Sequence, residues 1–226
     1  MIVSIHIPKT AGRTFQFRLR STFGSRALFD YGDWIGFDTP EVAAHDELRK
    51  AGMRARRDEL LRDHDIIHGH FVAAKYAGLF PATDFVAFFR DPYQQAVSHY
   101  QYLLRHPEID HPGVRAFHEA RMSLPEFIVA VTDIQSRFLG QVTVEDLMMA
   151  GLMEQYDRSL ALFEAASGCK LAREARHENV NPVRQGDAYP IDPAVRKAID
   201  TYRAGDVALY RRACESFARL TARHDL

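Results

Sequence analysis

Cysteine is scarce: Cys169 and Cys214 are the only two among 226 residues. Their spacing matches neither a metal cluster nor a disulfide framework, and two buried or inert thiols in a reducing compartment are expected. Neither sign of charge is in excess. Twenty-nine Lys and Arg stand against 30 Asp and Glu, a net charge of −1, which argues against a strongly basic nucleic-acid binder but allows a local basic cleft. No apolar run approaches the ~18 residues that would span a bilayer. The chain enters its first strand at once, with no signal peptide, so a soluble cytoplasmic protein is expected. Repeats, low-complexity tracts and clear linkers are missing too. At 46% hydrophobic residues the chain is not a disordered segment. Its length suits one domain, 1–226, with a sizeable core.

What is present begins at the N-terminus. Ile2, Val3, Ile5 and Ile7 form the pattern of a short buried strand. Ile-Pro-Lys-Thr-Ala-Gly-Arg-Thr-Phe follows from Ile7 to Phe15, and apolar residues at near-helical spacing run from Phe15 to Phe23. A strand, a tight loop of small residues and a helix start together make an anion site, because loop and first-turn N–H groups face the ligand and the helix dipole favours negative charge. Lys9 adds a mobile point charge, Thr10 and Thr14 add hydroxyls, and Ala11 and Gly12 admit an anion close to the backbone. The loop is not a Walker A motif, which carries its lysine at the end; no Gly-Lys-Ser/Thr occurs in this chain. An ordinary strand–turn–helix with a surface lysine is the competing reading.

A second junction lies at Phe85–Tyr100. Phe85 to Phe89 is the continuous apolar run of a strand covered on both faces. Asp91 and Pro92 then supply an N-cap and first helical residue for a helix to about Arg105. Arg90 falls at the carboxyl end of the strand, where ligands bind in open α/β sheets, and Ser98 on the helix beyond. Arg90 offers two parallel N–H donors to a phosphate.

A third constellation is Ile66-Ile-His-Gly-His-Phe71. Strand residues two apart share a face, so His68 and His70 point the same way, with Gly69 leaving the other face uncrowded. An imidazole titrates near neutral pH and suits a general base. Half a zinc site, or a structural role for one of the two, are the alternatives.

The two loops, in this order, resemble the sulfotransferases that use 3′-phosphoadenosine 5′-phosphosulfate (PAPS), closest to the carbohydrate branch containing the heparan sulfate 2-O-sulfotransferases. Pro8-Lys9-Thr10-Ala11-Gly12-Arg13-Thr14 matches their 5′-phosphosulfate loop. The Arg90-Asp-Pro segment with Ser98 matches their 3′-phosphate motif. The likeness continues at His68–Phe71, Gln135–Leu139, Gly151–Tyr156 and Asn179–Asn181. It implies a three-layer, P-loop-like α/β fold with a central parallel sheet flanked by helices. It implies PAPS as cofactor without a required metal, and sulfuryl transfer to an acceptor hydroxyl. Lys9 would be catalytic, with His70 as base and His68 as partner or substitute. Cofactor contacts would come from Lys9, Thr10, Ala11, Gly12, Arg13, Thr14, Arg90 and Ser98. A polysaccharide, oligosaccharide or glycolipid acceptor is implied, and a small alcohol or phenol is not excluded. Golgi members carry a membrane anchor, so a bacterial cytoplasmic enzyme is expected here. Two positions depart from the family: Arg13 replaces a small hydroxyl residue, and Gln95 stands where a second arginine is often found.

A P-loop kinase or hydrolase, preferring Mg-ATP, and a catalytically silent nucleotide-binding protein are the other function classes. Elsewhere, Asp30–Pro40 with Trp34 and His106–Arg121 read as loops, and Glu41–His64 as a charged helical region whose Arg54, Arg56 and Arg57 are solvated. Helices are expected at Leu124–Val131, Val144–Met149, Tyr156–Ala166, Pro193–Tyr202 and Val207–Ala222. Periodicity leaves the segment at Gly151 open between strand and helix. His99, His106, His111 and His118 are expected to be solvated, and Arg137 is a secondary acceptor-site candidate.

Overall fold

The computed structural model describes residues 1–33, 37, 44, 56–173 and 188–226. Trp34, Arg54 and Asn179–Asn181 therefore lie outside the described residues. Parallel strands form one sheet: β1 (Ile2–Ile5), β2 (Ala27–Asp30), β3 (Ile66–Gly69), β4 (Phe85–Phe89) and β5 (Met149–Leu152), in the order β2-β3-β1-β4-β5. Ser4 pairs with His68 on one side and Val86 on the other. Every residue of β1, β3, β4 and β5 is buried. Strands apolar on both faces need cover on both faces, which gives the expected three-layer, P-loop-like α/β arrangement.

Helix α1 (Gly12–Phe23) connects β1 to β2, and α4 (Pro92–Arg105) leaves β4 on the way to β5. Because β1 leads toward one edge and β4 toward the other, a crevice opens between their carboxyl ends. The intervening elements are α2 (Arg57–Asp63) and α3 (Ala74–Ala77). Beyond α4 come α5 (Pro112–Glu119), α6 (Leu124–Ala130), α7 (Ile134–Leu139), α8 (Tyr156–Ser167), α9 (Pro193–Tyr202) and α10 (Ala204–Arg223). Both expected cap pairs form: Asp91 accepts from the Gln94 N–H, and Asp192 from those of Ala194 and Val195. Among the described residues no helix is long and apolar enough to cross a membrane.

Several expectations are corrected. Val144–Met149 is not a helix: a short 3-10 turn at Val144–Asp146 precedes β5, which resolves Gly151 as strand. Pairing of Met149–Leu152 with Val86–Phe89 overrides the weak β propensity of Met-Ala-Gly-Leu. Strand β2 was not anticipated, nor was α7, and α5 occupies part of the expected His106–Arg121 loop. The face of β3 opposite the histidines is crowded: a Cβ at Gly69 would lie 1.6 Å from the Asp30 carbonyl oxygen. Gly69 is there because β2 approaches too closely for any side chain. Arg56 pairs with Glu59 and Arg57 contacts Asp58, all on a solvated surface.

Candidate active site

At the carboxyl ends of the strands lies a cavity of about 640 Å³. Lys9, Ala11, Gly12, Arg13 and Thr14 of the first loop line it, as do Arg90, Ser98 and His70. Both junctions thus open into one space. The remaining expected residues, Thr10 and His68, do not line it.

The loop is bent sharply. Lys9 and Ala11 take left-handed backbone conformations, φ 67° and 73°, which cost energy without glycine and mark a shape imposed by the surroundings. Brackets behind the loop hold it. The Thr10 hydroxyl donates to the Ile7 carbonyl at 2.9 Å, which explains why it faces away from the cavity. Gln95 Nε2 donates to the Pro8 carbonyl at 3.0 Å, and Arg90 Nη1 to the Lys9 carbonyl at 3.2 Å. Gln95 in turn accepts from the buried Arg203 at 3.0 Å. Gln95 is therefore a strut of the loop rather than a gap in the anion site. Among the described residues no side chain caps α1 and no acid sits in its first turn, so its leading N–H groups and dipole are left for a ligand.

Arg90 is clamped through its backbone. The Gln135 amide accepts from the Arg90 N–H at 3.0 Å and donates to the Arg90 carbonyl at 2.8 Å. Buried Asp206 fixes Gln135 and Ser136 by accepting from their N–H groups at 3.1 and 2.7 Å. This gives the Gln135–Leu139 segment a role: it fixes the backbone of Arg90. Arg137 of that segment is not among the cavity's lining residues.

Positive charge gathers about Lys9. Burial, then Arg90, Arg105 and Arg13, push its ammonium down to about 8. Its Nζ lies 4.2 Å from the centre of the Tyr102 ring, a cation–π contact that holds it in place. An anion entering here would relieve that mutual repulsion.

The histidines form a stack that includes one the sequence reading missed. His6 lies between its neighbours, with ring centres 4.1 Å from His70 and 5.2 Å from His68, both nearly parallel. His6 Nδ1 is 2.8 Å from the Tyr31 hydroxyl, and His68 Nδ1 is 2.8 Å from Ser4 Oγ. Burial lowers all of them: His70 to about 4, His68 to about 3 and His6 well below its ordinary value. Arg13 and Lys9 add to the shift at His70, while a hydrogen bond to the His6 carbonyl opposes it. At neutral pH His70 is an uncharged imidazole on the cavity wall, and its buried Nδ1 makes no hydrogen bond. His68 is buried beneath His6. The missing side chain of Gly12 also gains a reason: a Cβ there would lie 1.8 Å from the His6 ring. Gly12 makes room for an imidazole.

Two other histidines are corrected. His99 and His111 are 8% and 9% exposed, buried rather than solvated, and both line the cavity. His99 shares the inward stripe of α4 with Ala96 and Leu103, a helical spacing that marks it as interior. His106 pairs with Glu108, and His118 bonds the Leu103 carbonyl. Among the described residues no group of His, Cys, Asp or Glu is arranged to hold a metal ion.

No family model matches the chain, and no curated protein matches it. One solved structure, described as the crystal structure of a sulfotransferase from Alicyclobacillus acidocaldarius, is similar over 99% of this chain and 95% of its own, with 16% identity and a TM-score of 0.47. A likeness of that degree bears no weight for activity, and the functional reading rests on the residues of the cavity.

Proposed function

We propose that this protein transfers a sulfuryl group from PAPS to the hydroxyl of an acceptor. The observation that carries this is the opening of the Lys9 loop and the Arg90–Ser98 junction into one cavity, with neutral His70 on its wall. The fit to the cofactor rests on two anion sites a strand apart, a surplus of cations about Lys9, and a volume within the usual range for small-molecule sites. The phosphosulfate, when bound, supplies the transferable sulfuryl group.

In this reading the loop N–H groups, Thr14 and Lys9 hold the 5′ end, and Arg90 and Ser98 hold the 3′-phosphate. His70 accepts the proton of the attacking hydroxyl. As the acceptor oxygen bonds to sulfur and the bond to the bridging oxygen breaks, its electron pair stays with the departing phosphate, and Lys9 stabilises that charge. Arg13, at the exposed rim, adds to the field without a fixed anion contact assigned. His68 supports the stack from behind rather than replacing His70. A saccharide or glycolipid acceptor and a bacterial cytoplasmic setting go with the resemblance alone.

Radiolabelled PAPS, incubated with a pool of saccharides, alcohols and phenols, tests the reading. Lys9→Ala is expected to lower transfer 100-fold or more while retaining part of the nucleotide affinity. Unchanged turnover at saturation would make Lys9 an anchor only. Wild-type turnover by His70→Ala would remove His70 as base.

A further inference from the structure

The sheet order divides the cavity. Arg90 follows β4, and Met153 and Tyr156 follow β5, so the two strands on one side of the Lys9 loop supply one half. His70 follows β3 and Tyr31 follows β2, on the other side. Resting on the sulfotransferase reading, the first half takes the nucleotide, and the acceptor must approach through the second to reach His70.

His6 and Tyr31 are the nearest rings to His70, with centres 4.1 and 5.0 Å away, and apolar side chains line the cavity beside them. Phe138 lies edge-on to His70 with ring centres 6.1 Å apart, and Phe37, Leu103, Ile109 and Val114 line the same cavity. Arg90 and Arg105 gather about Lys9, while the field of Arg13 reaches both Lys9 and His70. Of the carboxylates lining the cavity, Asp33 is tied to Lys75 at 2.7 Å and Asp110 to Arg115 at 2.7 Å. His70 and His99, both lining the cavity, each hold a buried Nδ1 without a hydrogen bond, and His99 as a whole is buried. A buried polar atom without a partner is costly, and a ligand group that bonds to it removes that cost.

We propose that the acceptor is a hydrophobic alcohol or phenol, with its ring or hydrocarbon body against Phe37, Leu103, Ile109, Val114 and Phe138 and a second polar group bonded to His99. A saccharide fits this wall poorly. Each hydroxyl laid against aliphatic and aromatic carbon gives up a bond to water and gains none. A flat, mostly apolar molecule loses nothing of that kind and gains the burial of its own surface.

The test is calorimetry on the full chain saturated with adenosine 3′,5′-bisphosphate, titrated separately with 2-naphthol, 2,7-dihydroxynaphthalene and an unsulfated heparosan oligosaccharide. Both naphthols are expected to bind, the diol at least threefold more tightly, and the oligosaccharide not at all. Val114→Asp is expected to weaken both naphthols tenfold or more while leaving adenosine bisphosphate affinity within twofold. His99→Phe is expected to abolish the diol's advantage. Binding of the oligosaccharide without the naphthols, or of no acceptor probe, overturns the apolar subsite and leaves the cofactor reading standing. Failure of adenosine bisphosphate to bind wild-type protein overturns the cofactor reading first. The wild-type preference among probes decides the matter even where a variant fails to fold.

Discussion

At the residue scale, burial decides what the chemical groups are at working pH. His70 is held at about 4 and Lys9 at about 8, both first by burial and then by neighbouring cations. A neutral imidazole and a protonated lysine coexist between those values. The dependence of kcat/KM on pH is therefore expected to be flat through neutrality, falling toward pH 4 as His70 protonates and above pH 8 as Lys9 deprotonates. An acid limb near the ordinary histidine value would show that the base is a solvated imidazole instead. Stability has its own sign. His68 and His70 bind their protons less well folded than unfolded, so the unfolded chain carries the excess protons below pH 6.5. Stability is full above that pH and is lost as pH falls toward about 4 and 3. Urea midpoints measured from pH 7 to pH 5 are expected to fall, and to fall less in His68→Asn.

Residues also mark how far the sequence could be read. Lys9, Arg90 and His70 could be placed because each follows a strand end where chain direction fixes its place, and Ser98 because it lies on the helix after β4. His6 was not, although it adjoins the loop. Its importance depends on stacking against His70 across two strands and on the space left by Gly12, and neither is a local property of the chain. His99 carried a signal that went unused, its spacing from Ala96 and Leu103 on the apolar stripe of α4.

At the scale of elements, the strands that were clear are β4, a continuous apolar run, and β1 and β3, which open on the β-branched pairs Ile2-Val3 and Ile66-Ile67. β2 and β5 hold no β-branched residue. They gain their identity from partners distant in sequence, which is why Ala27–Asp30 was not singled out and Met149–Leu152 was divided between helix and an open segment. Gly69 tests how tightly two elements are matched. Its Cβ would strike the Asp30 carbonyl, so Gly69→Ala must part β2 from β3 at the end that carries Tyr31 and His70. Destabilisation of about 1–3 kcal/mol or more is expected, read from urea unfolding. Activity should fall further than stability alone explains, because Tyr31 braces His6. A neutral effect on both would show that β2 yields freely.

For the whole molecule, the design is a parallel sheet whose central crevice brings two strand–helix junctions together and sets a neutral imidazole beside them. The buried polar links behind it, Arg203 to Gln95 to Pro8 and Asp206 to Gln135 to Arg90, tie the C-terminal helices α9 and α10 to the site's first loop. A ligand that binds only the folded state stabilises it by mass action, so the cofactor product should also raise the melting temperature as its concentration rises.

The measurement that bears most directly on this account is calorimetric titration of the protein with adenosine 3′,5′-bisphosphate, beside Mg-ATP and adenosine 5′-monophosphate, repeated on Arg90→Ala. The account predicts micromolar binding that requires the 3′-phosphate and is lost without Arg90. Preference for Mg-ATP, or binding of none of the three, would contradict it.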